Sequence, residues 1–181
     1  MALAGCGSAG STRPSASSPT TTVPPASTTT VASTVTSAPG LDFLTAWGAT
    51  PDQWNANHTP DPGTPNDYWP KLPDGLDTYT NLVVTNGRVV GYVLNLYPGV
   101  AAADAKSRLA NDLPLDATIA SEHQLGGCDQ LVEHSPTIDA VSPGGLLAEL
   151  ESAGGGAYSA SSVARIVVSP LSAGSAAPAT C

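Results

Sequence analysis

Charge is scarce in this sequence, and positive charge is the scarcest. Only 12% of the 181 residues are charged, with six Lys and Arg against fifteen Asp and Glu. A nucleic-acid surface needs clustered cations to displace phosphate counterions, and adhesion to anionic lipid needs them too. The acidic balance argues against both. No apolar run approaches the roughly 18 residues that a transmembrane helix requires. Catalytic signatures are missing as well: there is no G-x-S-x-G, no Walker A loop, no Rossmann glycine pattern and no H-E-x-x-H. Aromatic residues make up 5%, with one Phe, so the three Trp and five Tyr stand out.

What is present is unevenly spread. Between Gly7 and Pro39, 17 of 33 positions are Ser or Thr, five are Pro, and the only charge is Arg13. Such a stretch has almost nothing to bury and reads as an unfolded tether, of the composition that O-glycosylation favours. All fifteen acidic residues follow it, and the segment from Leu41 onward carries a formal net charge of −10. That segment is long enough for one core. The domain plan is therefore residues 1–6, a tether over 7–40, and one globular domain over 41–181.

Ahead of the tether stands Leu3-Ala4-Gly5-Cys6, which resembles the lipobox of bacterial lipoproteins. The low lysine content and the abundance of Ala, Gly and Pro resemble the actinobacterial members. The resemblance implies a diacylglyceryl group on the Cys6 sulfur, cleavage just before it, and a lipid-anchored (palmitate-bearing) protein outside the cytoplasm. The membrane would be a partner through that anchor alone. Only Met1-Ala2 precede the box, where an exported chain carries a charged n-region and an apolar stretch. The coding sequence is therefore expected to begin further upstream.

With Cys6 lipidated, Cys128 and Cys181 remain, and an even count in an exported domain points to a disulfide. A nucleophilic Cys128 served by His123 or His134 fits less well, because Gly126-Gly127 before it reads as a hairpin turn rather than a helix start. Metal binding by the histidines also fails on geometry. His123 opposes Gln130 and His134 opposes Ile119 in that hairpin, which separates them by about 13 Å along one face. Asp74-Gly75-Leu76-Asp77 lacks the spacing of a calcium loop. No metal, no cofactor and no catalytic residue is expected.

The fold class reads as α+β. Thr50-Pro51-Asp52-Gln53 carries the start signals of a short helix ending near Asn57. Asn86-Gly87 joins Tyr79–Thr85 to Arg88–Tyr97 as a type I′ hairpin, in which Val84 faces Val89 and Val83 faces Val90. Its inward face is expected to carry Leu82, Val84, Val89 and Val93. A helix from about Ala101 to Asp112 presents Ala102, Ala105, Leu109 and Leu113. A second hairpin turns at Gly126-Gly127. Ser142-Pro143 is expected to open a helix bearing Leu146, Leu147 and Leu150, and Val163–Val168 forms a last strand. The sum is an antiparallel sheet of about five strands with two or three short helices on one face.

One long aperiodic segment has functional character. His58 to Thr78 gathers Asp61, Asp67, Tyr68, Trp69 and Asp74 just after Trp54. Aromatic rings beside carboxylates suit a glycan or protein-binding surface, so Trp54, His58, Asp61, Asp67, Tyr68 and Trp69 are the candidate ligand residues. Large aromatics are usually buried, so the favoured reading is a packing role, with Trp54 and Trp69 pinning the segment to the sheet and Trp69→Ala destabilising the domain. The expected function is a non-enzymatic envelope module that binds an envelope protein or glycan. The alternative is a hydrolase of cell-wall material using the carboxylates of this segment.

Overall fold

The computed structural model describes residues 44–64, 67–71, 77–153 and 156–181. Cys6, the lipobox, the tether and Asp74 lie outside them. The first helix, α1 (Pro51–Asn57), starts where its sequence requires. Thr50 accepts from the Gln53 amide while the Gln53 side chain accepts from the Thr50 amide, a complete capping box with Pro51 at its first position. The chain then forms two three-residue strands, β1 (His58–Pro60) and β2 (Tyr68–Pro70), which pair with each other. There follow β3 (Thr78–Thr85), β4 (Arg88–Val100), α2 (Ala102–Asp112), β5 (Thr118–Gln124), β6 (Cys128–His134), α3 (Pro136–Val141), β7 (Leu146–Ser152) and β8 (Val163–Pro170).

The fold is α+β, with one antiparallel sheet in the order β1-β2-β3-β4-β8-β7-β6-β5. Trp54 of α1, Ala105 and Leu109 of α2 and Ile138 of α3 share one core with the inward strand residues, so the three helices cover one face. The count of about five strands is corrected to eight. Two of the additions, β1 and β2, are too short to show a period in sequence. The third, β7, replaces the helix expected after Ser142-Pro143. Leu146, Leu147 and Leu150 fit a helical stripe, but Leu146, Ala148 and Leu150 also fit the inward face of a strand. Pairing on both sides, to β6 and β8, decides it. The helix lies earlier, at α3, capped by Ser135, whose hydroxyl accepts from the Ile138 amide at 3.0 Å.

The first hairpin has the expected turn, with Asn86 and Gly87 both at positive φ (51° and 72°), and Val84 faces Val89. Its inward face agrees with expectation at Leu82 and Val89 and differs at Val84 and Val93. Thr80 pairs with Val93 but Val83 with Gly91, and Val84 with Val89, so β3 and then β4 each carry an extra residue. Each bulge exchanges the faces. Tyr79, Val89, Tyr92 and Leu94 are buried, while Val84 is 46% exposed and Val93 turns outward. In the second hairpin His123 faces Gln130, but a shift near Ala120 moves His134 opposite Thr118.

Candidate functional site

Tyr79 on β3 and Tyr92 on β4 point under the sheet toward the last turn of α2, where Asp112 sits. The Tyr79 phenol donates across both carboxyl oxygens, at 3.0 and 3.1 Å, and the Tyr92 phenol donates to Oδ2 at 3.1 Å. Burial pushes the Asp112 carboxyl up to about 7, against the pull of the two phenols. Burial, and then the Asp112 charge, raises both phenols above their ordinary range. Asp112 and Tyr79 line a cleft of about 550 Å³. Asp77 and Arg108 pair within it, and Asn111 adds an amide. Behind it Trp54 stacks on His58, with ring centroids 3.8 Å apart, and Tyr79 meets His58 edge-on at 4.6 Å. Burial lowers the His58 pKa, so its ring favours the neutral form.

The six candidate ligand residues do not form one surface. Trp54 and His58 are core residues, 1% and 4% exposed. Tyr68 packs edge-on against Trp54 at 5.6 Å. The Asp61 carboxylate accepts from the Gly63 amide, and the Asp61 amide donates to the Asp67 carbonyl, so both aspartates shape the β1–β2 turn. Trp69 differs. Because Tyr68 faces the core, the alternation of β2 turns Trp69 to the opposite side of the sheet. There it is 39% exposed.

That opposite side has two parts. Over β6 and β7 it lies beneath the C-terminal segment, held by a Cys128–Cys181 disulfide with Cα atoms 5.9 Å apart. The Leu171 amide donates to the Gly145 carbonyl, and Leu147 beneath is only 4% exposed. A groove of about 630 Å³ runs between residues 175–179 and the side chains of His123, Gln130, Val132 and His134. Among the described residues, the one close grouping of metal-type donors is Cys128, Glu149 and Cys181. The disulfide removes both of its thiolates.

Over β2, β3, β4 and β8 it carries Trp69, Thr78, Asn95 and Arg165. The register Tyr68–Tyr79 brings Trp69 level with Thr78, which pairs with Asn95, which pairs in turn with Arg165. The Asn95 amide donates to the Thr78 and Thr80 hydroxyls at 3.4 and 3.3 Å, and Arg165 pairs with Glu151. An aromatic face therefore borders a row of fixed donors and acceptors. Asn95, Arg165, Asp77, Arg108 and Asp112 did not emerge from sequence reasoning. Asp112 had a signal, since an aspartate in a helix's last turn opposes the dipole and needs a reason to be there. No protein-family model matches this chain, and no match was found among curated proteins or among solved structures.

Proposed function

We propose that this protein is a lipid-anchored module of the bacterial cell envelope that binds wall glycan, without catalysis, on the side of its sheet that bears Trp69. The single observation that carries the binding reading is Trp69. It is a large apolar ring held 39% exposed, level with Thr78, Asn95 and Arg165. A partly exposed indole offers an apolar face to a ligand, and a sugar ring suits both that face and the polar row beside it. The anchoring reading rests on the resemblance of Leu3-Ala4-Gly5-Cys6 to a lipobox. It gains support from the Cys128–Cys181 disulfide, a bond that belongs to oxidising compartments.

The test is retention on purified, insoluble wall glycan. Wild-type domain should sediment with the glycan, and Trp69→Ala should stay in solution while keeping its melting temperature. Trp54→Ala, by contrast, should lose roughly 3–5 kcal/mol of stability. A Trp69→Ala domain that binds like wild type overturns the reading. The Asp112 cleft favours a second reading, a wall hydrolase, because a carboxyl near 7 suits proton transfer at neutral pH. Under that reading Asp112→Asn abolishes release of soluble fragments and leaves sedimentation intact.

A further inference from the structure

A second cleft lies on the helical side, between the end of α2, the Pro114–Ala117 connection and the β5–β6 hairpin. Its volume is about 280 Å³, and its lining is apolar apart from Glu133 and the Lys106 side chain. Leu109, Leu113 and Leu131 form the inner wall, with Ile119 half-exposed and Leu115 fully exposed at the mouth. The Lys106 ammonium is already balanced, at 2.8 Å from Glu122 and 3.0 Å from Asp129.

Glu133 is the anomaly. It pairs across the sheet with Ile119 on one side and Leu146 on the other, and it is only 6% exposed. No cation or hydrogen-bond donor among the described residues meets its carboxyl. Burial alone accounts for its raised pKa. Its carboxyl opens only onto the cleft, so it keeps little of its hydration and gains no partner from the protein in exchange. Retaining it makes physical sense where something else brings the missing partner.

We infer that this cleft binds an alkyl chain ending in a protonated amine, with the chain against Leu109, Leu113 and Ile119 and the ammonium on Glu133. The volume suits one long side chain or a small molecule rather than a drug-sized ligand. Lysine has this design, an apolar stem with a compact charge. Two sources therefore share the chemistry: the lysine side chain of a partner and a free alkylamine. This site is independent of Trp69, on the other side of the sheet.

Hexylammonium chloride titrated into the domain, followed by amide NMR, tests the inference. Saturable shifts are expected at Ile119, Leu131 and Glu133, with hexanol weaker by about tenfold or more, the loss expected when a charge-assisted hydrogen bond is absent. Glu133→Gln should bring hexylammonium down to the level of hexanol and should melt no lower than wild type. Ala110→Trp, an exposed position on the rim, should block both probes without touching Glu133. Nα-acetyl-lysine amide binding as well as hexylammonium assigns the site to a partner's lysine; hexylammonium alone assigns it to a free amine. Equal binding of hexylammonium and hexanol, undiminished binding to Glu133→Gln, or undiminished binding to Ala110→Trp overturns the inference.

Discussion

Asp112 shows how much one side chain can organise. Its backbone carbonyl accepts from the Trp47 amide, and its carboxyl gathers the phenols of Tyr79 and Tyr92. One residue thus ties the end of α2 to the N-terminal segment and to two strands. Because its folded pKa is raised from 3.8 to about 7, the folded state holds the proton more tightly than the unfolded chain. Its contribution is fully present below about pH 4 and disappears as pH rises through about 7. His58 acts oppositely, since its lowered pKa gives stability that is present above 6.5 and lost as pH falls. Asp112→Asn isolates the first effect. Between pH 5 and 8, urea unfolding should show wild type losing on the order of 2 kcal/mol relative to the variant. A constant difference would mean that Asp112 is ionised throughout. At this scale the sequence showed which residues were unusual, the tryptophans above all, but not which of them were inside. Trp54 and Trp69 differ in exposure because one lies on a helix face and the other alternates outward on a strand too short to be read.

Elements were legible where local chemistry specifies them. The Thr50 capping box, the Asn86-Gly87 turn and the stripe of Ala105 and Leu109 on α2 all stand where the residues alone place them. Reading failed where distant contacts decide. The strand β7 has partners on both sides that no local pattern reveals, and the bulges in β3 and β4 exchange faces without a glycine or proline in β3 to mark them. Two serine-proline pairs looked alike. Ser135-Pro136 caps α3, whereas Ser142 ends it, its hydroxyl donating to the Gly145 carbonyl at 2.7 Å. Gly145 then turns into β7 at φ 87°, where a side chain would press on the Glu133 carbonyl. Ser135→Ala should therefore cost about 1 kcal/mol through the lost cap. Thermal melts check this; an unchanged melting temperature would show that α3 is held by Ile138 alone. Glu133 could have been found by the same period-two rule that places Leu131 inward.

At the scale of the whole molecule, an acidic domain is closed by one disulfide, Cys128–Cys181, a bond that suits the proposed place outside the reducing cytoplasm. Among the described residues no helix is long and apolar enough to cross a membrane. The disulfide joins residues 53 apart, a closure that the chain-entropy model values at about 4 kcal/mol. Cys181→Ala should lower stability by up to that amount and raise protease cutting within residues 171–181. Resistance equal to wild type would mean that the Leu171–Gly145 contact holds the segment unaided. A disulfide-closed module anchored by lipid has a distinctive intact mass. The protein is expressed in a bacterial host that exports and lipidates lipoproteins, and is collected from the membrane and soluble fractions alike. The expected chain begins at Cys6, heavier by a diacylglyceryl group and lighter by the two hydrogens of one disulfide. An unmodified Cys6 in protein recovered from the soluble fraction would contradict it.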